Sequence, residues 1–382
     1  MLRIAIIGGG PGGLTLARLL QMQGAAVRVY EADATPEARS QGGSLDLHED
    51  SGQLALNRAG LEAEFRRLSR PEGQHFVIYD QHGVRHFDYA PAPGTLSRPE
   101  IDRRLLRDLL LGSLAPDTLC WGRRLRHVEP GPPHRLVFET GPAEMADLVI
   151  GCDGAWSRVR SLISQDRPAY VGVTFVETRL ADADRRHPVA SRLVGPGSLM
   201  SAGENKALMA QRNGDGDIRI YAALRVPEDW SQRAGIDFAD GAAAKRALLG
   251  LFAGWASPLL DLLRCAEDQF RPWPLITLPP EQDWRACPGV TLLGDAAHVM
   301  PPFTGRGANL AMLDAVELAE ALGRARPGET DGALRAYEAA MLARMAPAIR
   351  ETLAAEDAMI APDAPAPLLA RMRGRLGVAA EG

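Results

Sequence analysis

Two carboxylates in this chain close short apolar runs: Glu31 follows Val27-Arg28-Val29-Tyr30, and Asp295 follows Val290-Thr291-Leu292-Leu293-Gly294. A carboxylate after an apolar strand must be paired or face a ligand, because burying it alone is costly. Its chemistry is to accept hydrogen bonds from hydroxyls. Ahead of Glu31 the run Leu2-Arg3-Ile4-Ala5-Ile6-Ile7 enters Gly8-Gly9-Gly10-Pro11-Gly12-Gly13. In that spacing Gly8 allows a tight turn, Gly10 lets the backbone approach a pyrophosphate, and Gly13 lets the next helix pack on the strand. The pyrophosphate would rest on free N–H groups of the helix that Pro11 opens. Glu31 would then accept a ribose hydroxyl. This is a dinucleotide-binding fingerprint, and Gly294-Asp295 bears on which dinucleotide: its carboxylate suits a polyol chain, which a nicotinamide dinucleotide lacks.

The loop Met300-Pro301-Pro302-Phe303-Thr304-Gly305-Arg306-Gly307-Ala308-Asn309 follows and feeds a helix over Leu310 to Leu322. Its N–H groups and dipole could stabilise negative charge on a planar ring, as a reduced flavin requires. Pro302, Gly305, Gly307 and Asn309 are candidate contacts for that ring. Asp153-Gly154, with Arg158 and Arg160 behind it, reads either as a further cofactor contact or as a helix cap with surface charge.

The elements that must hold these residues alternate as β-α-β at the start, with the first helix ending at Gly24. Asp50 caps a short helix that stops near Gly60. Pro99 opens a long helix whose Ile101, Leu105, Leu106, Leu109 and Leu110 form one apolar stripe, with Arg103 and Arg107 off it. Beyond Pro168 short extended runs and turn signals take over: Val171 to Leu180, Lys206 to Gln211 and Ile218 to Val226, the last two joined through Asn213-Gly214-Asp215-Gly216. The returning strand Val290 to Leu293 rejoins the first region. A long helix from about Leu334 to Ile360 closes the chain, and its Pro347 should kink it or mark a new start.

These runs predict an α/β protein: a Rossmann-like dinucleotide domain with an inserted antiparallel-sheet domain and a long C-terminal helix. The expected division is 1–74, 98–170 and 286–325 for the dinucleotide domain, 75–97 and 171–285 for the inserted domain, and 326–382 for a helical segment bridging them. At 382 residues the chain exceeds what one hydrophobic core supports. With 46% hydrophobic and 24% charged residues and a net charge of -5, it resembles an average enzyme and gives no reason to expect nucleic acid or an anionic membrane as partner. Cys120, Cys152, Cys265 and Cys287 lack metal-like or disulfide-like spacing, which suits a reducing cytoplasm. No apolar stretch approaches a membrane span, and no signal peptide is read at the start. A cytoplasmic monomer without metal is expected.

The ordered motifs Gly8-x-Gly10-x-x-Gly13, Asp153-Gly154-x-x-Ser157-x-Val159-Arg160 and Gly294-Asp295-Ala296-Ala297-His298 resemble those of the group A flavin-dependent monooxygenases. Within that group the chain is most similar to the tetracycline-inactivating monooxygenases, through Gly42-Gly43-Ser44-Leu45-Asp46-Leu47-His48, Arg98-Pro99-Glu100-Ile101-Asp102-Arg103 and Asp295 to Phe303. The resemblance implies that Asp46, Arg103 and Asp295 contact FAD and that Arg39 serves NADPH. It implies hydroxylation of an electron-rich aromatic or polycyclic carbon with O2, through a C4a-hydroperoxyflavin, tetracyclines being the first named substrates. No residue is then assigned as catalytic, since the flavin carries the chemistry, and His298 reads as structural or a minor contact. Taken singly, Asp46 also reads as a turn residue, Arg103 as a solvated helix charge and Arg39 as surface.

The pattern departs from the family at Ala32, where an arginine follows the ribose-binding acid, and at Arg219 and Ser198, where the substrate-gripping histidine and arginine are replaced. Met209, Arg219, Phe303 and Met359 are the candidate substrate contacts, although methionine and phenylalanine at such spacing are more often core. The rival readings are a hydroxylase of another aromatic compound and a flavin-loaded binding protein without turnover. An NAD-dependent dehydrogenase has no use for Gly294-Asp295, and a two-dinucleotide flavin reductase needs a second Gly-x-Gly-x-x-Gly that the chain lacks.

Overall fold

The computed structural model describes residues 2–38, 42–92 and 94–376, the last four as backbone. Two compact units emerge: Met1–Ser69 with Arg103–Ala169 and Ile276–Glu351, and Arg70–Asp102 with Tyr170–Leu275 and Thr352–Gly382.

The first unit is built on a parallel five-stranded sheet in the order Val290–Leu292, Leu148–Gly151, Ile4–Ile7, Val27–Tyr30, Leu119–Cys120. Ile4–Ile7 is central, with Ile6 opposite Ile150 on one side and Val29 on the other. All four of its residues are buried, which is why it reads as an unbroken aliphatic run. Such an arrangement brings the C-terminal ends of the central strands to one edge, where open α/β sheets bind ligands. Helices Pro11–Met22 and Arg306–Arg324 pack closely, and Gly12 permits it: a β-carbon there would meet the Ala311 carbonyl oxygen at 2.8 Å. A three-strand antiparallel meander, Leu125–Glu129, His134–Phe138 and Glu144–Ala146, completes the unit's sheets. The first and third of these strands were not anticipated.

The second unit is a seven-stranded sheet in the order Arg271–Thr277, Ala169–Leu180, Ile218–Arg225, Lys206–Arg212, Ser198–Gly203, Phe76–Asp80, Arg85–Tyr89. From Ala169–Leu180 onward the pairings are antiparallel, except that Ser198–Gly203 runs parallel to Phe76–Asp80. The turn expected at Asn213 is present, its N–H bonding Asp217 O at 2.9 Å. Val77, Val176, Leu199, Leu208, Ile220 and Ala222 turn to one face, into an aliphatic core with Leu248, Phe252, Leu259 and Leu263 from two helices.

Several sequence expectations need correction. The helix assigned to open at Pro99 begins at Arg103; Glu100–Asp102 is extended because Glu100 exchanges backbone hydrogen bonds with Arg70, at 2.7 and 3.2 Å. The short helix near residue 50 starts at Gly52 with no side-chain cap, so Asp50 does not cap it. Arg107 is buried, lying 3.6 Å from Asp33 and over the Trp121 ring at 5.1 Å. Pro347 does not divide the helix Thr330–Met359. Burial of Met341, Met345, Ala348 and Ile349 around it outweighs the roughly 3 kcal/mol that an interior proline costs. Within the expected helical segment, a separate helix Ala366–Leu376 follows the long one. Among the described residues no helix is long and apolar enough to cross a membrane, and no cluster of His, Cys, Asp or Glu could hold a metal.

Candidate cofactor site

The glycine loop is packed from all directions but one. A β-carbon on Gly8, whose φ is +111°, would sit 2.2 Å from the Cys152 carbonyl oxygen, and one on Gly13 would sit 2.2 Å from that of Gly8. At Gly10 nothing lies within 4 Å. Gly10 is also the residue before helix Pro11–Met22, with no side-chain cap and no acid in the first turn. The first-turn N–H groups therefore point into an open cradle that a diphosphate would fill. Glu31, buried at the end of its strand, accepts from Gly9 N at 2.7 Å and Asp33 N at 2.9 Å. It ties the loop in place, and each oxygen keeps a further lone pair for a ribose hydroxyl.

Asp295 starts a four-residue helical turn behind Gly294, whose φ of +59° and 2.9 Å approach to Ala311 fit only glycine. Asp295 is exposed, yet the surrounding protein raises its pKa by desolvation, opposed by the charges of His298 and Arg103. It is an exposed carboxylate crowded by protein on the sides away from solvent. Such a group is stabilised by hydroxyl donors from a ligand. Arg103, at the start of helix Arg103–Gly112, is brought within electrostatic reach of it.

The turn is fixed from behind by a network wholly within this unit. Asp314 Oδ2 accepts from Gly294 N at 3.0 Å and from His298 Nε2 at 2.5 Å, while Oδ1 accepts from Arg344 at 2.7 Å. Burial pushes the Asp314 carboxyl up, but His298, Arg344 and the Gly294 amide outweigh it and hold the pKa below the ordinary value. His298 is fully buried, so it serves the structure. Asp314 and Arg344 escaped the sequence reading. The available signal was an aspartate set among Met312, Ala315 and Val316 on a buried helix face.

Asn309 acts as a clasp. Its Oδ1 accepts from His48 N at 2.9 Å and Gly52 N at 3.2 Å, and its Nδ2 donates to Asp46 O at 2.8 Å and Gly305 O at 3.0 Å. Those bonds bring the Asp46 strand beside the 305 loop, where a β-carbon on Gly305 would lie 2.6 Å from Asp46 Oδ1. Asp46 also bonds His48 Nε2 at 3.0 Å. Asn309 thus shapes the site with its side-chain amide spent on protein. Gly307 is open like Gly10, and Gly305, at φ +66°, precedes helix Arg306–Arg324 without a side-chain cap. Pro302 is exposed and Phe303 partly buried on the turn Pro302–Thr304.

Asp153 does act as a turn cap, accepting from Ser157 Oγ at 2.6 Å and Arg158 N at 2.7 Å; burial raises its pKa against those bonds. Arg160, which the sequence suggested as surface charge, is buried and donates to the carbonyls of Ala155 and Ala296, joining this turn to the Asp295 turn. Arg39 lies outside the described residues.

The remaining candidates lie in the second unit. Met209 and Met359 pack on the apolar cluster of Ile78, Met200, Leu368 and Leu369, a core environment. Arg219 pairs with Glu177 at 2.7 Å.

Gly10, the uncapped first turn, Glu31, Asp295 and the open Gly307 loop fit FAD: a diphosphate, a ribose, a polyol and a planar ring. Comparison with known proteins agrees. Residues 1–192 and 280–352 match the FAD binding domain family. The chain is 31% identical over 368 residues to monooxygenase penA of Penicillium thymicola, covering 84% of each chain. It is 32% identical over 358 residues to the 3-amino-4-hydroxybenzoate 2-monooxygenase PtmB3 of Streptomyces platensis, covering 90% of this chain and 85% of that protein. In fold it is similar to Klebsiella pneumoniae HpxO complexed with FAD and uric acid, with TM-score 0.80 at 21% identity over 98% of this chain and 92% of that one. It is also similar to the tetracycline destructase Tet(55), with TM-score 0.75 at 19% identity over 98% and 95%. The chain belongs to the FAD binding domain family and, within it, to the FAD-dependent monooxygenases.

Proposed function

We propose that this protein is an NADPH-consuming monooxygenase that hydroxylates an electron-rich aromatic or polycyclic compound received on the sheet of the second unit. The observation that carries the reading is Asp295, an exposed carboxylate held on a glycine turn at the end of a buried strand, where the hydroxyls of a polyol can reach it. Bound FAD supplies O2 activation and the delivery of one oxygen atom to the acceptor carbon. The chain's own residues do the rest. Gly10 and the first-turn amides of Pro11–Met22 hold the diphosphate, Glu31 the ribose, and Asp295 with Arg103 the polyol and what lies beyond it. The uncapped start of Arg306–Arg324 offers N–H groups and a positive dipole end to negative charge. No side chain need act as a nucleophile, and water exclusion decides how much oxygen reaches the acceptor.

Tetracyclines are the first substrates to test, supported by the similarity in the Gly42–His48 and Asp295–Phe303 segments and by the destructase fold match. Arg39 is assigned to NADPH; Arg39→Ala should raise the KM for NADPH with flavin content unchanged. The protein is assigned to the cytoplasm as a monomer. The test is NADPH oxidation by FAD-loaded protein over a panel of tetracyclines and simple phenols, with product mass measured. Gain of one oxygen by any of them supports the reading. Full NADPH consumption released as H2O2 with every compound would overturn the panel's substrates, and absence of any NADPH oxidation would overturn the activity.

A further inference from the structure

We infer that the second unit's sheet selects an uncharged aromatic or polycyclic acceptor and discriminates against aromatic carboxylates, because the arginines on its ligand-facing side already hold carboxylates of this chain. This rests on the reading that the sheet receives the substrate.

One face of the sheet is closed by its own helices, through Val176, Leu208, Ile220 and their neighbours. The opposite face carries the other side chains of these strands, and at one end of it Met200 and Met209 pack in the cluster of Ile78, Leu368 and Leu369. Strand alternation and register put Met200, Met209, Tyr221 and Glu177 in one row across that face, with Gln211, Arg219 and Arg179 in the next. Arg225, opposite Val173, lies on the same face by the same alternation. The Phe175 and Tyr221 rings meet there tilted at 45°, with centroids 5.8 Å apart. A flat ring system on this face would meet the Tyr221 and Phe175 rings.

Its cations are committed. Arg219 donates to Glu177 at 2.7 Å, with side chains only 17% and 11% exposed. Arg179 bonds Asp217 at 2.9 Å and Glu267 at 3.1 Å. Arg225 bonds Asp357 at 3.2 Å and lies 4.0 Å from Glu356. An incoming carboxylate would have to displace Glu177, leaving a sparsely solvated charge unpaired, or lie against it as a like charge. A neutral phenol or amide meets neither obstacle.

The test uses FAD-loaded full-length protein and a probe pair matched in shape, 4-hydroxybenzamide and 4-hydroxybenzoate, by isothermal titration. The native protein should bind the amide at least about tenfold more tightly. Glu177→Gln removes the carboxylate that pairs with Arg219 and should swing the ratio toward the benzoate by about tenfold or more, with flavin content and Tm retained. Should that variant fail to fold, Arg219→Gln is the mirror: with Glu177 left uncompensated, preference for the amide should widen. Equal or tighter binding of the benzoate by native protein, a ratio that no variant moves, or failure of both probes to bind at millimolar concentration would overturn the inference. NADPH oxidation followed alongside separates the two readings, since the binding ratio can hold in a protein that oxidises no NADPH.

Discussion

In the first unit the groups directed at a ligand are mostly backbone: amides released by glycines, an uncapped helix start and one carboxylate on a glycine turn. In the second unit the polar groups on the sheet face away from Val176 and Ile220 are side chains already bonded to one another, Arg219 to Glu177 and Gln211 to Glu100. The difference teaches where each kind of information is stored. A coenzyme of fixed shape can be gripped by backbone geometry, which only certain glycines permit. Selection of a substrate depends on which side-chain charges stay available, which only strand register reveals.

The sharpest test of the first half is a pair of glycine substitutions. Gly13→Ala places a β-carbon against the Gly8 carbonyl at 2.2 Å and should destabilise the protein by about 3 kcal/mol or more. Gly10→Ala, at φ -77° with nothing near it, should leave the thermal unfolding of the FAD-free protein within about 1 kcal/mol of native yet weaken FAD binding at least about tenfold. Calorimetry and FAD titration on both variants check this. Equal effects on folding would show that the loop's glycines are all packing residues.

Asn309→Ala should cost about 2 kcal/mol, because it strips acceptors from the buried amides of His48 and Gly52. Denaturant unfolding measures it. A loss of flavin without a loss of stability would instead make Asn309 a direct cofactor contact.

In the second unit, burial raises the Glu356 carboxyl to about 7 against an ordinary 4.5, with Arg225 opposing the shift. The folded chain therefore holds this proton more tightly than the unfolded one. Its contribution to stability is complete below 4.5 and drains away as pH rises through 7. Glu356→Gln should flatten the decline of Tm over that range, a difference on the order of 1 kcal/mol at the alkaline end. An unchanged profile would show that Glu356 ionises freely.

Much of the first unit was legible in the chain because its chemistry is local. Gly8, Gly10, Gly13 and Gly294 announce backbone conformations, and Asp295 stands out at the end of an apolar strand. What escaped depends on distant partners. Arg107 stands only as a charge off its helix's apolar stripe, and Arg160 as a cofactor contact or a surface charge, until Asp33 and the carbonyls of Ala155 and Ala296 are seen around them. Glu100–Asp102 follows a proline that favours a helix start, and pairing with Arg70 overrides it. Arg219 looked available for a substrate, but Glu177 lies 42 residues earlier, and only the pairing of their strands brings them together.

The central claim is that Asp295 and the open glycine cradle hold FAD. Fluorescence titration of the FAD-free protein with FAD, native beside Asp295→Ala, tests it most directly. The account predicts stoichiometric uptake by the native protein and an affinity lower by about 30-fold or more in the variant, with unfolding unchanged. Native protein that takes up no FAD, or a variant that binds it equally well, would contradict it.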